Sequence, residues 1–251
     1  MASSEKELYG LIGYPLGHSF SQGYFNNKFA SEGIDAEYLN FEIPAITDLA
    51  EIIATHPALR GLNVTIPYKQ QIIPYLDELS EEARAIGAVN VVRVRHMGKE
   101  THLKGYNSDV IGFTKSIEPL LKPFHKKALI LGTGGASNAI DYSLKKLGLE
   151  TLKVSRYERA DTIQYEKVTD QVIEEYNVIV NCTPVGMYPK VEECPPLPYV
   201  AMDSRTLLYD LIYNPDETLF MKKGIEQGAT VKNGLEMLLL QAYASWDFWN
   251  E

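Results

Sequence analysis

The run Lys126-Lys127-Ala128-Leu129-Ile130-Leu131 leads directly into Gly132-Thr133-Gly134-Gly135-Ala136-Ser137, and this junction limits the chain to few folds. Four consecutive apolar residues read as a strand buried on both faces, the pattern of a parallel sheet covered by helices. Asn138 to Leu147 then reads as a helix that stops at Gly148. In a strand–turn–helix of this kind, Gly132 permits the tight turn and Gly134 lets the backbone approach a pyrophosphate at the helix N-terminus. The third position of the usual G-x-G-x-x-G is Ser137, small enough for close helix–strand packing. An ordinary β–α turn is the plainer alternative. Leu152 to Ser155 reads as the next strand, with Arg156 after it and Arg159 close behind. NAD-selective folds place a carboxylate there to hold ribose hydroxyls. A guanidinium suits the 2′-phosphate of NADP instead, unless Arg156 is a solvated surface residue.

The N-terminal half carries a second strand with polar groups on one face. Leu62 to Ile66 alternates, which puts Leu62, Val64 and Ile66 on one side and Asn63 and Thr65 on the other. Pro67 ends the ladder, so Lys69 arrives just beyond the carboxyl end, the edge where open α/β sheets bind ligands. Leu8–Gly13 and Glu37–Phe41 read as strands, and Ile46–Ala54 and Ser80–Ile86 as helices, the last capped by Ser80. Strand–helix–strand spacing predicts parallel pairing with right-handed crossovers. Val89–Val94 and Thr101–Lys104 read as a hairpin joined by His96-Met97-Gly98-Lys99. Further strands are expected at Val178–Asn181, Thr206–Ile212 and Ala229–Val231. The closing segment Gly234–Asn250 reads as a helix apolar around nearly its whole circumference, which predicts burial and packing back on the first domain.

With 251 residues the chain suits one large domain or two of ordinary size. Its net charge of −9 is scattered, which argues against a nucleic-acid partner. It has neither a secretory leader nor an apolar run of membrane-spanning length. Cys182 and Cys194 supply no disulfide framework and no zinc spacing, so no metal is expected. The chain reads as a soluble cytoplasmic protein, monomer or homodimer, acting on a small molecule.

Seven ordered motifs resemble those of the shikimate dehydrogenase family across almost the whole chain. His18-Ser19-Phe20-Ser21 is similar to H-S-x-S, and Asn63-Val64-Thr65-Ile66-Pro67-Tyr68-Lys69 to N-V-T-x-P-x-K. Gly87-Ala88-Val89-Asn90 resembles G-A-x-N, and Gly105 to Gly112 resembles G-x-N-T-D-x-x-G around Asp109. Asn181 to Met187 matches N-x-T-P-x-G-M, Asp210 to Pro215 matches D-x-x-Y-x-P, and Gly234 to Gln241 matches G-x-x-M-L-x-x-Q. Gln22 and Phe25 stand where the family usually has proline and histidine, and Ser155-Arg156-Tyr157 where N-R-T is common.

The resemblance implies two α/β domains, a mostly parallel substrate domain (1–111 with 234–251) and a Rossmann-like NADP-binding domain (112–233). It implies reversible NADPH-dependent reduction of 3-dehydroshikimate to shikimate, on the way to aromatic amino acids, with Lys69 as acid/base and Asp109 as its partner. Substrate contacts are expected from Ser19, Ser21, Asn63, Thr65, Asn90, Tyr213 and Gln241. Cofactor contacts are expected from Gly132, Gly134, Gly135 and Ala136, from Ser155 and Arg156, and from Thr183, Met187 and Gly234. Helix capping is the alternative for Ser19, Ser21 and Asp109, and a buried backbone partner is the alternative for Gln241. Two other functions fit less well: a quinate or shikimate dehydrogenase using NAD, and a non-catalytic nucleotide sensor that would have lost Lys69 or Asp109.

Overall fold

The computed structural model describes residues 6–17, 20–98 and 100–251. They form two compact units, one running to Ser108 and including Ala242–Glu251, the other Asp109–Gln241.

The first unit contains β1 (Glu7–Gly13), α1 (Phe20–Glu32), β2 (Ala36–Glu42), α2 (Leu49–Thr55) and β3 (Leu59–Val64). These are followed by β4 (Glu78–Leu79), α3 (Glu81–Ile86), β5 (Val91–Met97) and β6 (Glu100–Tyr106). The sheet order is β2-β1-β3-β5-β6-β4. The pairs β1–β2, β1–β3 and β4–β6 are parallel, and β3–β5 and β5–β6 are antiparallel. Alternation along the strands makes two cores. Leu8, Ile12, Leu62, Val64 and Val92 face one of them. Tyr9, Leu11 and Val91 face the other, with Phe25 and Phe29 of α1 and Tyr38 of β2.

Two expectations are corrected in this unit. The central strand ends at Val64, before Ile66, which is 74% exposed. Thr65 N–H makes a last bond to Ile12 O (2.9 Å), and Tyr68 N–H then turns back to Thr65 O (2.9 Å). The hairpin turn is also shorter than its sequence suggests, because His96 and Met97 belong to β5. The His96 ring bridges Leu59 O and Thr101 Oγ1, each at 3.0 Å, and Gly98 takes the turn with φ +67°. The helix expected to begin at Ser80 forms as read, with Ser80 Oγ accepting from Ala83 N–H (3.1 Å).

The second unit opens with α4 (Asp109–Ile117), β7 (Lys127–Leu131), α5 (Gly135–Lys146), β8 (Glu150–Ser155) and β9 (Thr162–Gln164). It continues through α6 (Asp170–Glu175), β10 (Val178–Asn181), β11 (Leu207–Asp210), α7 (Leu219–Glu226) and β12 (Thr230–Lys232). The last helix, α8 (Leu235–Trp249), contributes to this unit as far as Gln241 and to the first unit from Ala242. The order β12-β11-β10-β7-β8-β9 is parallel throughout. It is the Rossmann order, with its switch point between β7 and β10. Helices cover both faces: α4 and α5 bury Phe113, Ile117, Ile140 and Leu144 against one. Ile173 of α6 and Phe220 and Met221 of α7 cover the other.

Of the segment Gly234–Asn250, expected to pack on the first domain as a whole, only the part of α8 from Ala242 does so, and the helix is not buried all round. Leu235 is 40% and Tyr243 51% exposed. Trp249 is buried against β3: a Cβ on Gly61 would stand 2.3 Å from the indole. Gly61→Ala is therefore expected to destabilise the chain by about 1–3 kcal/mol through overpacking. Denaturant unfolding of the two proteins measures this, and equal stabilities would mean that Trp249 is not seated on Gly61.

Candidate active site

In the first unit the polar face of β3 leads into a buried hydrogen-bond chain. Asn63 Oδ1 accepts from the Tyr38 hydroxyl (2.8 Å), while Asn63 Nδ2 donates to Ser245 Oγ (3.0 Å) and Asn90 O (3.4 Å). Ser245 Oγ lies 3.3 Å from Ser108 Oγ. Asn90 Oδ1 accepts from Ser108 N–H (2.7 Å), and Asn90 Nδ2 donates to Ser108 Oγ (3.0 Å). Ser21, in the first turn of α1, hydrogen-bonds the Tyr38 hydroxyl, and burial holds that phenol well above its ordinary pKa. The structure thus links three expected substrate residues, Ser21, Asn63 and Asn90. Ser19 lies outside the described residues.

Tyr38 and Ser245 also belong to this chain and carry no sequence motif for it, whereas Ser108 stands where the G-x-N-T-D-x-x-G motif has threonine. One signal was available for Ser245: it stands four residues before Trp249 on α8, as Asn63 stands two residues after Gly61 on β3. A helix rises about 6 Å in four residues and a strand about 6.6 Å in two, so the two pairs match in length. The Tyr38 ring is stacked on Phe25, 4.9 Å between centroids and 11° from parallel. That contact gives the unusual Phe25 a packing role. Gln22 Oε1 accepts from Asn40 Nδ2 (3.0 Å).

Thr65 and Lys69 follow directly from the end of β3, both half-buried. Lys69 O accepts from Val89 N–H (2.7 Å), and Asn90 N–H donates to Tyr106 O (3.1 Å). The Lys69 turn and the Gly87–Asn90 loop are therefore pinned to each other through the main chain.

In the second unit the glycine turn after β7 and the loop after β10 flank the switch point. Gly132 has φ +109°, and a Cβ there would meet Thr183 Cγ2 at 3.1 Å, so the turn after β7 touches the loop after β10. Apart from its chain neighbours, no atom of the described residues lies within 4 Å of a Cβ position on Gly134, which leaves room for a phosphate to approach its backbone. Gly134 is the N-cap of α5, and Gly135, Ala136 and Ser137 form the first turn. Ser137 is buried and its hydroxyl donates to Gly134 O (2.6 Å). These features fit a dinucleotide pyrophosphate. Ser155, at the end of β8, is buried and accepts from Tyr157 N–H (3.2 Å). Arg156 and Arg159 are exposed, with the Arg156 guanidinium 5.8 Å from the Tyr157 ring centre. Thr183 donates to Asn181 Oδ1 through its N–H (3.0 Å) and its hydroxyl (2.7 Å).

Met187 and Tyr213 are 46% and 40% exposed, and burial of the remainder raises the Tyr213 phenol pKa. Asp109 is buried at the start of α4 and Gln241 is half-buried on α8. A Cβ on Gly112 would lie 3.1 Å from Gln241 Cβ, so that glycine lets α4 and α8 approach closely. Gly234 is buried, and a Cβ there would collide with Leu211 O at 2.1 Å, so it is required for packing as well.

A doubly wound dinucleotide-binding unit, joined to an α/β unit whose central strand ends beside the buried amides of Asn63 and Asn90, defines a two-domain α/β protein of the nucleotide-dependent oxidoreductase type. A family model described as the shikimate dehydrogenase substrate binding domain matches residues 11–92. A shikimate dehydrogenase (NADP(+)) of Methanosphaera stadtmanae is 37% identical over 267 residues, covering 98% of this chain and 92% of its own. A crystal structure of a shikimate dehydrogenase in complex with NADP+ superposes with a TM-score of 0.86 at 29% identity, over 99% of this chain and 91% of that one. The Thermus thermophilus enzyme in complex with NADP(H) and shikimate gives 0.84 at 29% identity, over 97% and 93%. The chain belongs to the shikimate dehydrogenase family.

The buried chain in the first unit yields a direct test. Tyr38→Phe removes the donor to Asn63 Oδ1 and the partner of Ser21, and is expected to cost about 1–3 kcal/mol of stability. A variant that unfolds at the parent's denaturant midpoint would show that the phenol contributes nothing to the network.

Proposed function

We propose that this chain is an NADP-dependent shikimate dehydrogenase that reversibly reduces 3-dehydroshikimate to shikimate, in the supply of aromatic amino acids. The observation that carries this reading is the near full-length similarity to an NADP(+) shikimate dehydrogenase. The buried amides of the first unit and the open glycine turn of the second agree with it.

NADPH, when bound, supplies the hydride. Gly132, Gly134, Gly135 and Ala136 would hold its pyrophosphate, and Arg156 its 2′-phosphate. Thr183, Met187 and Gly234 would border the cofactor. Reduction of a ketone puts negative charge on its oxygen, and Lys69 meets that charge by donating a proton; in the reverse direction it accepts one. Asp109 is the proposed electrostatic partner of Lys69. Ser19 and Ser21 would hold the substrate carboxylate, and Asn63, Thr65, Asn90, Tyr213 and Gln241 would bind the ring hydroxyls. A polyhydroxylated ring needs directional neutral hydrogen bonds, which amides and hydroxyls supply. Presence of both Lys69 and Asp109 speaks against a non-catalytic sensor.

Steady-state assay of shikimate and quinate, each with NADP+ and NAD+, tests the reading. Robust turnover of quinate with NAD+ alone would replace it. Lys69→Ala is expected to lower kcat by roughly 10²–10⁴-fold with the fold retained, the usual worth of one acid–base group. Near-parental kcat would remove Lys69 from the chemistry. Arg156→Asp is expected to lower kcat/KM with NADP+ by at least ~10-fold, equivalent to ~1.4 kcal/mol, and to change NAD+ use far less. Equal losses with both cofactors would mean that Arg156 does not read the phosphate.

A further inference from the structure

Asp210 is a completely buried carboxylate to which the mechanism above gives no part. It ends β11 beside Asn181 at the end of β10, the two residues being paired in register. Asp210 Oδ1 accepts from Asn181 Nδ2 (3.0 Å) and Ile212 N–H (3.1 Å), and Oδ2 accepts from the Thr218 hydroxyl (2.7 Å). Beyond Asn181 the chain of bonds continues in one direction. The Asn181 oxygen accepts both the N–H and the hydroxyl of Thr183, and Thr183 Oγ1 accepts from Val185 N–H (3.3 Å). Asn181 Nδ2 also reaches Val185 O (3.4 Å), and Met187 N–H closes the loop onto Pro184 O (3.2 Å).

A carboxamide can be turned end for end at little steric cost, and hydrogen bonding alone decides which end faces where. An ionised carboxylate only accepts, so it selects the Asn181 rotamer whose nitrogen faces Asp210 and whose oxygen faces Thr183. We propose that Asp210 is a positioning residue: its carboxylate fixes the Asn181 carboxamide and, through it, the fold of the Thr183–Met187 loop on the cofactor side. The assignment of that loop to the cofactor rests on the function proposed above; the relay itself rests on the hydrogen bonds. Burial pushes the Asp210 carboxyl up to about 6, against the lowering effect of its three donors, so it is mainly ionised above that pH. Burying this charge is costly unless donors meet it, and here three do.

The test uses the full chain with Asp210→Ala and Asp210→Asn. Hydrogen exchange across Thr183–Met187 is measured without cofactor, and NADP+ affinity and shikimate KM are measured separately. In Asp210→Ala the loop amides should exchange about tenfold faster and NADP+ Kd should rise about tenfold, one hydrogen bond's worth. The amides of β7 and β8 and the shikimate KM should stay at parental values. Asp210→Asn should restore both readouts, because its oxygen still accepts from Asn181 and Ile212 while its NH2 turns to the Thr218 hydroxyl. A folded Asp210→Ala protein with parental loop exchange overturns the proposal, as does a general rise in exchange across the whole unit. Should Asp210→Ala fail to fold, Thr183→Val cuts the hydroxyl link from the half-exposed side, and unchanged loop exchange in that variant overturns the proposal equally. A parent that binds no NADP+ overturns the proposed function instead, and loop exchange still decides the relay.

Discussion

Trp249 lying against Gly61 is the contact on which the polar end of the first sheet depends. Because helix and strand advance at commensurate rates, seating the indole over one residue of β3 brings Ser245 over the next residue on that face, which is Asn63. A glycine at position 61 is what permits the approach. Tyr9, Phe25, Phe29 and Tyr38 pack around the indole and its neighbour Trp246, so a large apolar contact holds a small polar one in register. Hydrogen bonds of this size contribute about 1 kcal/mol each and could not set the register alone. Burial of aromatic surface supplies the larger stabilisation.

The two units solve the same problem with opposite polarity. Each places an asparagine near the carboxyl end of a central strand, and each fixes which way the amide points. In the first, a phenol donor holds the oxygen of Asn63. In the second, a carboxylate acceptor holds the nitrogen of Asn181. Both clamps are buried, where an unmatched amide would cost about 1–3 kcal/mol, so the orientation is enforced as well as chosen.

Local patterns were enough to read most of this from sequence. The apolar run before Gly132 and the Ser80 cap each depend on neighbours a few residues away and took their expected form, as did the alternation from Leu62 to Val64. Strand ends were less legible. Ile66 continues the alternation but lies beyond Val64, because the bond from Thr65 to Ile12 is long-range and the turn at Tyr68 follows it. The hairpin at Gly98 was read too long because His96 is a polar residue whose place in the strand comes from hydrogen bonds to Leu59 O and Thr101 Oγ1 on the neighbouring strands. Tyr38 and Ser245 were illegible for the same reason. Their neighbours in sequence are ordinary strand or helix residues, and the partners that give them a role come from distant parts of the chain.

Arg156 stands apart from all of this. Ser155 beside it is buried and bonded to the turn, whereas Arg156 and Tyr157 project from the surface. Exposed positions outside caps and turns change stability little when substituted, commonly within about 0.5 kcal/mol. The residue at this position can therefore change without disturbing the core. Under the function proposed above, a lineage could exchange one nucleotide for another by a few surface replacements there, while the buried asparagine clamps stay under the constraint of folding.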